Sequence, residues 1–182
     1  MSQHTVRAFD DDLNRLTGLV SDMGSRAALA VEQAMAALNN RDLVSASAIV
    51  AADKRIDELE TEIEKLVVTT IALRAPMADD LRTMIAALKI AAVLERVGDY
   101  AKSIAKRVPL LSADRAIDAM PLLTSMAQIV CEMLRDVLAA YAGRDAAKAQ
   151  EVSVRDKQVD GFYNSIFRAL VTYMMENPRS IT

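Results

Sequence analysis

Apolar residues recur at helical spacing in five long segments of this chain, roughly residues 7 to 39, 42 to 74, 77 to 107, 117 to 142 and 145 to 176. The breaks between them carry the residues that end helices: Asn39-Asn40 ahead of Arg41-Asp42, Pro76, Pro109, Gly143, and Asn177-Pro178. Asp42 and Asp145 are placed to cap the helices that follow them. Helices of this length joined by short loops must run antiparallel to their neighbours, so the pattern predicts an all-α bundle.

Shifting the chain by 103 positions exposes a repeat. Arg41-Asp42 falls on Arg144-Asp145, Ala46 on Ala149, Ile49 on Val152, and Asp53-Lys54-Arg55-Ile56-Asp57 on Asp156-Lys157-Gln158-Val159-Asp160. Helix two therefore recurs as helix five. Leu19, Val20 and Met23 fall on Leu122, Leu123 and Met126, so helix one recurs, less clearly, as helix four. The predicted architecture is a pair of antiparallel three-helix repeats, residues 1–110 and 111–182, with the second lacking its third helix. The stretch 108 to 116 is the expected boundary.

Within helix two the pattern gives a seam of Ala52, Ile56, Leu59, Ile63, Leu66 and Thr70, bordered by an acidic stripe of Asp53, Asp57, Glu60 and Glu64. Helix three poses a sharper problem. Leu81, Met84, Ile85, Leu88 and Ala92 form one stripe whose next members are Glu95 and Asp99, so two acids stand where core is expected. Ile90, Val93, Leu94, Val97 and Ile104 make a second apolar face, which predicts that both acids are partly covered. Covered carboxylates need compensation: a basic partner such as Arg96 or Lys102, a shared proton, or a metal ion. Gly98 between them costs about 1 kcal/mol relative to alanine in a helix, and fits where another backbone or a hydrated ion comes close.

If Asp53 and Asp57 face Glu95 and Asp99 across the hairpin, four carboxylates converge. Oxygen donors of that kind suit magnesium, manganese or iron, and zinc less well. The only histidine is His4, in a polar N-terminal stretch, so a histidine-containing di-iron site or a Ser-His or Cys-His catalytic pair cannot be assembled. Cys131 reads as a small packed residue, and no glycine-rich phosphate loop occurs. An enzyme is therefore not expected. Composition adds little beyond this. A chain 52% apolar and 4% aromatic with a formal charge of −3 suits a helical protein and draws neither nucleic acid nor an anionic membrane. The single cysteine, the lack of a signal-peptide pattern and the absence of a long apolar run make the cytoplasm the expected compartment.

The stretch from Ala52 to Arg107, with Asp53 and Asp57 in D-x-x-x-D spacing and Glu95-Arg96-Val97-Gly98-Asp99 as E-R-x-G-D, resembles the first repeat of the PhoU family of bacterial phosphate-uptake regulators. The run from Arg144 to Asp160 and the ending LVTYMMENPRSIT resemble the start of that family's second repeat. The resemblance implies metal ligands at Asp53, Asp57, Glu95, Asp99, Asp156 and Asp160. It also implies a cytoplasmic repressor of phosphate uptake and of the phosphate-starvation response, acting on the ATPase of the phosphate ABC transporter and on a sensor histidine kinase and reaching the membrane only through them. The family's sixth helix, with a second E-R-x-G-D, has no match, which puts the site around Asp156 and Asp160 in doubt. A homodimer through helices four and five is the expected way to cover their apolar face. A metal-free helical adaptor is the alternative reading.

Overall fold

The computed structural model describes residues 2–111 and 119–176, with side chains from Phe9 onward. They form six α-helices: α1 Ser2–Asn40, α2 Leu43–Ala52, α3 Lys54–Arg74, α4 Ala78–Ala105, α5 Met120–Gly143 and α6 Ala146–Glu176, with a 3-10 turn at Val108–Leu110. There is no strand among the described residues. The single helix expected over 42 to 74 is thus two, parted at Asp53. There the carbonyl of Asp53 accepts from Ile56 at 2.8 Å and from Asp57 at 3.3 Å, a local tightening that turns the carboxylate inward. The expected boundary at 108 to 116 begins in the 3-10 turn, where Val108 is buried; residues 112–118 and the ending from Asn177 lie outside the described residues.

The repeat has a structural signature. Asp42 N–H donates to Ala37 O at 3.0 Å, and Asp145 N–H donates to Ala140 O at 2.8 Å, each across an arginine in the left-handed region, Arg41 and Arg144. Both aspartates then cap as their sequence positions predict. Asp42 accepts from the Val44 and Ser45 amides at 3.0 and 3.1 Å, and Asp145 accepts from the Lys148 amide at 2.9 Å.

Helix α1 is the axis of the molecule, packed on α3, α4 and α5, while α6 packs on α5. One core joins Leu16, Val20, Met23 and Ala27 of α1 to Ile56, Leu59, Ile63 and Val67 of α3 and to Met84, Ala87, Ala91 and Leu94 of α4. A second joins Ala34 and Ala37 to Ala46 and Ile49 of α2, to Ala101 and Ala105 of α4, and to Cys131 of α5. Cys131 is buried, with Sγ at 3.6 Å from Ala28 O, as its packed reading predicts.

The seams differ from expectation in an informative way. On α3 the buried line runs Ile56, Leu59, Ile63, Val67 and Thr70; Asp53 continues it, Ala52 is exposed and Leu66 only half-buried. On α4 it runs Met84, Ala87, Ala91, Leu94, Gly98, Ala101 and Ala105, whereas Leu81 and Ile85 are exposed. Reading the large apolar residues alone rotates the face of α4. Alanine and glycine make the core line because only small side chains let α1 and α3 approach along its length.

Candidate functional site: an acid cluster closed by Lys102

The junction of α2 and α3 lies against the C-terminal part of α4, so Asp53 and Asp57 come beside Glu95 and Asp99, as the sequence predicts. The arrangement is unequal. Asp53 is 5% exposed and receives the Lys102 ammonium at 2.5 Å through Oδ2. The same ammonium lies 3.3 Å from Oδ1 of Asp99, one turn back on α4, whose side chain is half exposed. Lys102 thereby links the acids of the two motifs. The Asp53 and Asp99 hydrogen bonds hold its ammonium above the ordinary lysine range, against the opposing effect of burial.

The remaining acids are under strain of like charge. Glu95 has its proton affinity raised, first by burial and then by Asp99 and Glu60, with a hydrogen bond to Asp99 and the charge of Asp57 adding to it. Asp57 is raised by burial and then by Asp53, with Lys102 opposing. Of the compensations open in the sequence, the basic partner is Lys102. Arg96 turns away and donates to the Tyr100 hydroxyl at 3.1 Å.

Gly98 faces this cluster from α4. A Cβ there would meet Ile56 Cδ1 at 2.9 Å and Asp53 Oδ1 at 3.3 Å. What comes close among the protein atoms is a side chain and a carboxylate of the neighbouring helix pair, not a backbone. The glycine is the space into which Asp53 turns to reach Lys102.

Asp156 and Asp160, the counterparts of Asp53 and Asp57 on α6, are both exposed and are not joined to this cluster. No helix corresponding to α4 stands against them among the described residues. Where the first repeat continues its acidic stripe with Glu60 and Glu64, the second carries Tyr163 and Phe167, 64% and 59% exposed.

The donor chemistry at Asp53, Asp57, Glu95 and Asp99 is that of a hard cation site. The geometry, however, is committed to an ammonium: Lys102 already takes an oxygen from each of Asp53 and Asp99. Among the described residues no three His, Cys, Asp or Glu side chains are grouped so that they could hold a metal ion. In this arrangement the Lys102 ammonium takes the place between Asp53 and Asp99.

A helical bundle of two related units, with a D-x-x-x-D motif of one helix facing E-R-x-G-D of another, defines a class of protein. The PhoU domain model matches residues 20–108 and again 123–182. A phosphate-specific transport system accessory protein PhoU homolog of Zymomonas mobilis is 49% identical over 98% of this chain and 76% of its own length. A homolog of the same description from Caulobacter vibrioides is 45% identical over 100% of this chain and 79% of its own. The crystal structure of PhoU from Streptococcus pneumoniae, described as a phosphate transport system regulatory protein, superposes with a TM-score of 0.87 at 28% identity, covering 93% of this chain and 80% of that one. PhoU from Pseudomonas aeruginosa gives 0.78 at 31% identity, covering 100% and 84%. The chain belongs to the PhoU family.

Proposed function

We propose that this protein is a cytoplasmic negative regulator of phosphate uptake and of phosphate-starvation signalling. It works by contact with the ATPase of the phosphate ABC transporter and with the phosphate-responsive sensor histidine kinase, not by turnover of a substrate. The observation that carries the reading is kinship along essentially the whole chain with accessory proteins of phosphate-specific transport. Among the described residues no helix is long and apolar enough to cross a membrane, which suits a partner that reaches the transporter from one side. The test is direct binding of the labelled chain to the purified ATPase and to the cytoplasmic part of the kinase. Saturable binding to either supports the reading; binding to neither, by a sample of native helicity, overturns it.

Metal binding is the finer part of the proposal. Iron, manganese or magnesium would be held by Asp53, Asp57, Glu95 and Asp99 in a second state from which Lys102 has withdrawn. Asp156 and Asp160 take part only with ligands from outside the described residues. The metal-free adaptor is the competing reading, in which the Lys102 pairs are the lasting compensation for Asp53 and Asp99. Elemental analysis of protein purified without chelator separates the two. Near-stoichiometric metal that falls in Asp99→Asn supports the metal state, and none after reconstitution supports the adaptor.

A further inference from the structure

The turn between α5 and α6 meets the flanks of α1 and α4 in an open cleft of about 440 Å³. Its walls are apolar: Ala86 and Ile90 of α4, Val137 and Ala140 of α5, Ala146 and Ala149 of α6. Volume and lining fall within the usual character of small-molecule sites, which measure roughly 300–1,000 Å³ and place a few polar groups on an apolar ground.

The polar groups here are specific. The Tyr141 hydroxyl oxygen is buried and has no hydrogen-bond partner. Its neighbour Thr17 donates to the Leu13 carbonyl at 3.0 Å and keeps its oxygen as an acceptor beside the phenol, without a well-formed bond between the two, and Thr83 donates to the Asp79 carbonyl at 2.9 Å. Asp145 is committed to its capping bond. Arg144 lines the same cleft; the adjoining Thr17 hydroxyl and then the Arg144 charge lower a proton affinity of the Tyr141 phenol that burial raises. A buried hydroxyl without a partner costs about 1–3 kcal/mol, so its presence requires a reason. Packing does not supply one: the repeat places Leu38 at the position equivalent to Tyr141. The second repeat thus carries an O–H donor, next to a guanidinium, where the first carries a plain hydrocarbon.

We propose that this cleft binds a small molecule with a compact apolar body and a carboxylate group, the body lying against the alanine walls and the carboxylate taken by Tyr141 and Arg144. Because the walls come from both repeats, an occupant would fix the α5–α6 turn against α1 and α4. This is independent of the phosphate-regulator reading.

The test uses 4-(trifluoromethyl)benzoate as probe, followed by ¹⁹F NMR on the full chain, with the corresponding neutral benzamide as comparator. The carboxylate should bind saturably with a Kd below about 1 mM, and the amide several-fold more weakly, roughly in line with the strength of charge-assisted hydrogen bonds. Tyr141→Phe and Arg144→Gln should each weaken the carboxylate roughly tenfold. Ala86→Phe, which fills the cleft from an exposed position on α4, should abolish binding, and Phe167→Ser on the exposed face of α6 should leave it unchanged. Circular dichroism reports the fold of each variant. No saturable binding, binding indifferent to Ala86→Phe, or binding lost in Phe167→Ser would overturn the proposal.

Discussion

Gly98 and Gly161 both sit inside helices, and the same substitution should act on them in opposite senses. An alanine at either gains about 0.8–1 kcal/mol of helix propensity. At Gly161 nothing lies within 4 Å of the new Cβ, so that gain is kept. At Gly98 the methyl presses on Ile56 in the core and on the Asp53 carboxylate, and overpacking of this kind costs about 1–3 kcal/mol. Gly98→Ala should therefore be less stable than Gly161→Ala by at least about 1 kcal/mol, read as midpoints in urea. The electrostatics of the cluster give a second expectation. Glu95 binds its proton more tightly in the folded state, so its carboxylate is a burden at neutral pH that is relieved as pH falls through its folded pKa towards the unfolded value. Glu95→Gln should raise the thermal midpoint at pH 7 by about 1 °C or more, and the gain should shrink below about pH 4. A lowered midpoint at pH 7 would mean that Glu95 makes a favourable contact with a cation. Lys102→Met should act the other way, exposing Asp53 to burial without a partner, and should lower the midpoint more than Lys54→Met, whose Glu58 contact is exposed.

The helix scale shows what the sequence disclosed and what it hid. Five apolar-periodic segments, the caps at Asp42 and Asp145, and the repeat between them were legible because each is a local signal: a period, a side-chain oxygen three residues before an amide, a matched pair of turns. The meeting of Asp53 and Asp57 with Glu95 and Asp99 was legible as a consequence of hairpin topology. The break at Asp53 was not, since its backbone remains near helical values and the partner its carboxylate meets is a lysine 49 residues further along the chain. Nor was the true face of α4, because alanines carry little weight in a pattern of large apolar residues yet decide which side neighbouring helices approach. The α3–α4 turn carries a feature that only coordinates disclose: Ala75 and Ala78 both adopt the left-handed region, at φ 46° and 50°. Ala75 ends α3 there, with its N–H on Ile71 O at 3.0 Å. For an L-residue this conformation costs about 1–2 kcal/mol, which glycine avoids while adding freedom to the unfolded chain. Ala75→Gly should stabilise the protein by roughly 0.5–1 kcal/mol, a gain that denaturant titration resolves. A loss would show that the Ala75 methyl makes packing contacts that outweigh its backbone strain.

For the whole molecule, the repeat turns burial into a measurement of what each half contains. Val20, Met23, Leu59 and Val67 are all 0% exposed in the first unit, where α1, α3 and α4 close on one another. Their equivalents by the 103-residue shift, Leu123, Met126 and Phe162, are only half-buried, and Leu170 is 37% exposed. Tyr163 and Phe167 extend this surface along α6. Two helices carrying large apolar residues on a shared face, packed on each other and, through α5, on α1, but with no counterpart of α4 against them among the described residues, present a surface of a kind soluble proteins rarely leave open. The 182-residue chain is expected to cover it by self-association, most simply as a two-fold dimer in which α5 and α6 of each copy meet their counterparts in a four-helix arrangement. Sedimentation at tens of micromolar protein, on the order expected for an interface of that burial, should give a dimer. Tyr163→Ser with Phe167→Ser should shift it to monomer, because the pair lies on one stripe of α6 and takes no part in the core of the first unit. Leu73→Ser, at an equally exposed apolar position on α3, should leave the dimer intact. A monomer for the unaltered chain at that concentration, or a dimer lost with Leu73→Ser and kept in the α6 double variant, would move the interface off the second repeat. The first unit would then supply the contact, through the exposed side chains around the α3–α4 turn, where Leu73 and Met77 stand 78% and 80% exposed.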